Sequence, residues 1–461
     1  MKILLNNISQ KILILFTFIS ILSIFAIADM KIEITQGIDS AYPIAVIPLT
    51  PINQQCLYDL EDINIASIIA SDLRNSGKFN TVPISYLPYQ PTQVSDIIPA
   101  FWEKLGINTI VLGSIRIDHN NNYIISYQLI DASNNPALVI LENQFSTQKK
   151  YLRYIAHTIS NEIFEKLTGI KGSFCARIAY ILYKNNVQYP YELYMSDYDG
   201  YNQVSIYRSQ EPLMSPAFSP DGKKIAYVTF ESGHAELVIK ILKTGLIENI
   251  INFPNHNGAP AFSPDGKKIA FSSSQTGSLN LYIMDLLSGF IQQLTFNKYN
   301  STEPSWFPDS QNLAYTSDQG GSPQVYKINI NNTCNPQRLS WLNSSNQKPN
   351  VNLDGTCIIM VNRNQGIQNI SKLDVLTGRE EILTNSFLAD TPSLSPNGVM
   401  LIYTEILKTE NKLETVQPLS KNNNNDNNDI FVLKLLSIDG RFKAQLTGFL
   451  GNIRFPTWSL F

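Results

Sequence analysis

Histidine and cysteine are scarce in this chain, with four of each in 461 residues. The histidines, His119, His157, His234 and His256, stand in unrelated contexts. His119 belongs to a polar turn, His157 to an amphipathic helix and His234 to a hairpin loop, which makes all three structural or solvated. No Gly-x-Ser-x-Gly elbow, His-Glu-x-x-His pair, P-loop or helix-opening Gly-x-Gly-x-x-Gly occurs. Serine hydrolases, zinc proteases and nucleotide-binding enzymes therefore lack the residues their chemistry needs. Cys56, Cys175, Cys334 and Cys357 show neither zinc-site nor disulfide-framework spacing. The expectation is four free, buried thiols, with no metal bound through them. Charge of either sign is also lacking in excess: 35 Lys and Arg oppose 38 Asp and Glu, for a net −3. A chain so balanced has no electrostatic footprint for nucleic acid.

Long hydrophobic runs are absent except at the start. Lys2 and Lys11 precede an apolar stretch from Ile12 to Phe25, and Ala26-Ile27-Ala28 supplies small residues before Asp29. This is the pattern of a secretory signal peptide, residues 1–28, cleaved after Ala28. As an uncleaved anchor the run falls short of the roughly 20 residues that span a bilayer. Removing two lysines with the leader makes the net charge about −5. No lipidation cysteine follows the cleavage site. The mature chain is expected to be exported and soluble.

What the chain does contain is a phrase that returns. PAFSPDGKKIAY runs from Pro216 to Tyr227 and PAFSPDGKKIAF from Pro260 to Phe271. Weaker copies begin at Pro304, Pro349 and Pro392, and PTWSLF begins a sixth at Pro456, giving intervals of 44, 44, 45, 43 and 64. A period in the forties with four strand-like stretches per copy is the signature of a β-propeller. Pro-Asp-Gly suits the tight turn between the first two strands of each copy. Arg177–Tyr180 matches a second strand with no first strand before it, whereas Pro456–Phe461 is a first strand with no second after it. Pairing the two closes a composite blade and predicts six blades over residues 169–461. The long last interval reflects an Asn-rich insertion at about 409–428, expected to be disordered.

Residues 29–168 lack the repeat and read as a small α/β domain. Tyr42–Pro48 is a buried-type strand, Asp59 to Asn75 has helical spacing, Thr109–Ile117 and Tyr123–Asp131 form a hairpin, and Lys149 to Leu167 is an amphipathic helix. The fold class is thus an α/β N-terminal domain followed by an all-β six-bladed propeller. Ahead of the domain, Met30, Ile32 and Ile34 alternate with Lys31, Glu33 and Thr35. That alternation fits either a segment that adds to a partner's sheet edge or an edge strand of its own domain.

The best candidate binding surface is the ring of linkers that lead into each inner strand. His256 sits in one of them; others hold Met214 and Ser215, Thr302 and Glu303, Ser345 to Lys348, and Leu388 to Thr391. Asp221, Asp265 and Asp309 read as turn formers rather than metal ligands. Two other classes stay open on pattern alone: a propeller-type hydrolase or its regulatory half, and a sugar- or small-molecule-binding propeller.

Longer phrases narrow the choice. DLRNSGKF (Asp72–Phe79), FEKLTGIKG (Phe164–Gly172), PYELYMSDYDGYNQ (Pro190–Gln203), HNGAPAFSPDG (His256–Gly266) and STEPSWFPDSQNLAYTSDQ (Ser301–Gln319) resemble the TolB family of the Tol–Pal system. The resemblance extends over essentially all of the mature chain. It implies a non-enzymatic periplasmic scaffold that supports outer-membrane integrity and constriction during cell division. It implies binding of the lipoprotein Pal at the channel mouth through Met214, His256, Asn257, Ala259, Thr302 and Glu303. It also implies binding of TolA through residues 29–40, with Asp29, Met30, Ile32, Ile34 and Ile38 in contact. Peripheral association with the outer membrane would follow through Pal, and other outer-membrane proteins are further candidate partners. By the same resemblance a calcium ion in the channel is compatible with the fold, although no motif calls for one; no other cofactor is expected.

Overall fold

The computed structural model describes residues 30–33 and 41–460, apart from 54, 55, 57–62, 88, 186, 297, 343, 344, 408–429 and 447–450. The expected signal peptide and the Asn-rich stretch at about 409–428 lie outside the described residues. Among those described, no helix is long and apolar enough to cross a membrane.

Six sheets of the repeat region form six blades. Four are consecutive hairpin-connected sheets: blade 2 at residues 213–251, blade 3 at 257–293, blade 4 at 301–338 and blade 5 at 345–382. Blade 6 begins at Ala389–Leu394 and ends at Lys443–Leu446. Blade 1 is composite: Asn452–Trp458 pairs antiparallel with Arg177–Tyr183 and supplies its innermost strand. The offset in strand counts therefore closes as expected.

The repeat is a packing code. Tyr180, Tyr227, Phe271, Tyr315, Met360 and Tyr403 occupy one repeat position, and each is at most 1% exposed. Fully burying a large apolar side chain contributes about 1.5–3 kcal/mol. The Pro-Asp-Gly turns are equally regular. Ser219 Oγ donates to Asp221 Oδ1 at 2.6 Å, and the Lys223 amide donates to the same oxygen at 3.1 Å. Ser263, Asp265 and Lys267 repeat the arrangement. Burial raises the Asp221 and Asp265 carboxyls, but these hydrogen bonds outweigh it and hold both below the ordinary value. These aspartates are turn formers.

The N-terminal domain has a mixed sheet in the spatial order Phe79–Thr81, Tyr42–Val46, Thr109–Ile117, Tyr123–Asp131 and Leu138–Thr147. Its helices are α1 (Ile65–Asn75), α2 (Pro99–Glu103) and α3 (Leu152–Thr168). Asn64 caps α1 by accepting the Ser67 amide at 3.0 Å; the helix expected from Asp59 starts later for this reason, and residues 59–62 are not described. Gly169, at φ 72°, ends α3 where the sequence places the domain boundary. Helices α1 and α3 bury Ile69, Leu73, Ile159 and Phe164 in a cluster that also takes in Met400, Phe442 and Trp458 of the propeller. One core thus runs through both domains.

Two expectations need correction. None of the four cysteines forms a disulfide, but only Cys56 and Cys357 are buried; Cys334 is exposed and Cys175 half-buried. The irregular outer strand Asn332–Arg338 leaves Cys334 facing solvent. Met30–Glu33 is a strand, but it is not an edge strand of its own domain's sheet. It pairs antiparallel with Lys443–Leu446 and adds a fifth strand to blade 6.

Candidate functional site

The channel mouth is built by one backbone device used six times. Ser215, Ala259, Glu303, Lys348, Thr391 and Phe455 all have left-handed φ values between 47° and 55°. Each precedes the repeat proline, and at each the inner strand's register shifts by a bulge. A residue before proline ordinarily prefers extended backbone, and non-glycine residues rarely adopt positive φ. Held by the surrounding blade, the bulge breaks the ladder where proline has no N–H to donate. All six residues line a central cavity of about 600 Å³.

The cavity also takes in Met214, His256 and Thr302. His256 is half-buried, and its ring stands over Gly258: a Cβ there would come within 2.7 Å of Nε2. Burial lowers the imidazole's pKa below its ordinary value, so the ring is neutral at neutral pH. Thr302 Oγ1 donates to Ser272 Oγ at 3.2 Å. Glu303 is committed to the wall: its Oε2 accepts Thr316 Oγ1 at 2.7 Å and the Lys348 amide at 2.9 Å, tying blade 4 to blade 5. Lys348 Nζ in turn pairs with Asp390 at 2.6 Å, tying blade 5 to blade 6.

Of the six expected mouth residues, the structure brings Met214, His256, Ala259, Thr302 and Glu303 to the cavity. Asn257 is the exception. It is fully buried, and its Nδ2 donates to the carbonyls of Ala235 at 3.0 Å and Phe253 at 2.7 Å. Strand alternation turns the residue after His256 into the blade, so Asn257 anchors the linker rather than facing the mouth. Arg454 and Phe455 also line the cavity; the incomplete last repeat gave no direct alignment for them. Of the N-terminal segment, Met30 lies opposite Leu446 and Ile32 opposite Ala444, while Asp29, Ile34 and Ile38 lie outside the described residues.

A calcium ion in the channel has little to hold it. Among the described residues the one group of three close metal-ligating side chains lies elsewhere. The channel carboxylates of Glu303 and Asp390 are already engaged by Thr316 and Lys348, so a cage of side-chain oxygens is not present.

The family described as "TolB beta propeller domain" matches residues 164–425, and "TolB amino-terminal domain" matches residues 30–138. The chain belongs to the TolB family. A Tol-Pal system protein TolB of Blochmanniella floridana is 69% identical over 95% of each chain. The protein of that name from Haemophilus influenzae strain Rd is 50% identical over 94% of each. Among solved structures, TolB from Acinetobacter baumannii is 31% identical with a TM-score of 0.77, covering 94% of this chain and all of that one.

A second polar cluster, which the sequence did not reveal, joins this TolB-family chain's two domains. His157 on α3 contacts Asp72 of α1 through Nδ1 at 2.8 Å. Tyr198 of the propeller donates to the other Asp72 oxygen at 2.5 Å, and Arg153 of α3 pairs with Asp199 of the propeller. Burial pulls the His157 pKa down, but Asp72 and Asp199 outweigh it and leave the group raised. Burial also raises Asp199, against the pull of His157 and Arg153. The partners are separated by 85 and 126 residues along the chain, and no local motif links them.

Proposed function

We propose that this chain is a non-enzymatic periplasmic scaffold of the Tol–Pal system. In this reading the channel mouth binds the lipoprotein Pal, and the N-terminal segment binds TolA. The two contacts together support outer-membrane integrity and constriction at division. The observation that carries the reading is the mouth itself. Six bulged strands hold half-buried groups of mixed polarity, Met214, His256 and Thr302, around one opening. A rigid ring of this kind suits a protruding segment of a partner protein. The pairing of Met30–Glu33 with the edge of blade 6 supports a second role. A segment held only by β-augmentation at an edge can exchange that edge for a partner's. Bound to the blade, it would be withheld from TolA.

The test is calorimetric titration of residues 29–461 with the periplasmic domain of Pal from the same cell. Binding is expected, and His256→Ala should weaken it by roughly 5- to 30-fold, on the order of 1–2 kcal/mol, with the fold unchanged. Full affinity in that variant would remove the site assignment. Deleting residues 29–40 should abolish TolA capture; retained capture would place TolA elsewhere on the surface.

A further inference from the structure

The joint between the domains holds an arrangement that neither Pal nor TolA binding explains. His157 is 2% exposed. Its Nδ1 lies 2.8 Å from an Asp72 oxygen, and a carboxylate can only accept, so the ring proton resides on Nδ1. The opposite nitrogen, Nε2, is buried without a hydrogen-bond partner. It faces Asp199 Oδ2 at 3.7 Å. Nε2 and the Asp199 carboxylate thus face each other at the inner end of a largely buried site, an arrangement that is unfavourable unless something positive, a proton or a metal ion, lies between them.

We propose that this joint binds one divalent transition-metal ion, zinc being the best fit, through His157 Nε2 and the carboxylates of Asp197 and Asp199. The three donor atoms lie within 4.8 Å of one another. Ligands at zinc distances of about 2.0–2.2 Å stand roughly 3–4 Å apart, so small side-chain adjustments close the site, with water completing the coordination. An imidazole donor favours zinc over calcium or magnesium. Asp72 behind Nδ1 is the outer carboxylate that orients a metal-bound histidine. Arg153 braces Asp199 in the same way. Charge points the same direction: among the described residues Arg153 pairs with Asp199 alone, His157 is the ion-pair partner of Asp72, Asp197 accepts only the neutral Asn202 amide, and Arg74 lies beyond Tyr198. His157 comes from α3, whereas Asp197 and Asp199 come from the propeller. The ion would therefore staple one domain to the other.

The inference stands apart from partner binding and can be tested without partners. Tag-free residues 29–461, stripped with chelator, would be titrated with zinc by calorimetry and with cobalt(II) by visible absorption. One equivalent should bind, and zinc should raise the thermal midpoint. Asp197→Asn changes a half-exposed ligand and should weaken binding at least tenfold while circular dichroism stays native. His157→Gln should do the same wherever it folds. His234→Gln, at a half-buried histidine outside the joint and 3.8 Å from Glu236, should bind as the parent does. No zinc binding by the folded chain would overturn the proposal and leave a second proton on Nε2 as the occupant. Equal binding by Asp197→Asn, or loss only in His234→Gln, would overturn it too.

Discussion

Neighbouring residues in one linker have opposite duties here. His256 faces the cavity, whereas Asn257 holds two buried carbonyls. Asn257→Ala should therefore cost about 1–3 kcal/mol, because each orphaned buried acceptor carries a desolvation penalty. Urea midpoints would show this, and His256→Ala should shift them far less. His256 also sets a pH dependence. Its folded pKa is depressed by burial below the ordinary 6.5, so the unfolded chain takes up the proton first. The stability it contributes is complete above pH 6.5 and is lost as the pH falls through the lowered folded value. His256→Gln should flatten the urea midpoint over that acidic window; an unchanged slope would assign it to other groups. At this scale the sequence shows chemical type but not direction. The phrase His256-Asn257-Gly258-Ala259 offers every residue to the mouth; strand alternation turns Asn257 away, and the bulge before Pro260 keeps Ala259 at the cavity.

At the scale of the element, the repeat made the blades legible because successive copies bury a large apolar side chain, aromatic in all but Met360, at the same position and fold a similar turn. It did not reveal the six left-handed residues. Pre-proline preference argues for extended backbone, and the blade overrides that preference by fixing the residues on both sides. The turns offer a graded test. Gly222 has φ 65° and open space around a would-be Cβ, whereas Gly398, at φ 67°, has Asn352 Oδ1 within 2.2 Å of that position. Gly222→Ala should cost the backbone term alone, about 1–2 kcal/mol. Gly398→Ala should cost more by denaturant unfolding, and equal losses would mean Asn352 moves aside freely. The segment at 30–33 was legible as a strand from its alternation, but its partner was not, since alternation does not name the edge that receives it.

For the molecule as a whole, domain order was readable from where the repeat begins. The shared core was not, because Leu73, Phe164, Met400 and Trp458 meet only after both domains have formed. Such a core couples the two units. Calorimetry of residues 29–461 should show one cooperative transition, and two well-separated endotherms would contradict the coupling. Trp458 lies on that path, 5.9 Å from Tyr198 in a stacked pair. Trp458→Ala should lower stability by about 3–5 kcal/mol and affect both domains together.

The composite first blade also sets an order of events. The ribosome delivers the strand Asn452–Trp458 after every strand of blades 2 to 6 has emerged, yet its place beside Arg177–Tyr183 is prepared early. Until it arrives, the ring has a gap with two open flanks. A copy cut short before residue 452 would lack the joint that turns a row of sheets into a closed wheel, and would leave unpaired strand edges open to aggregation.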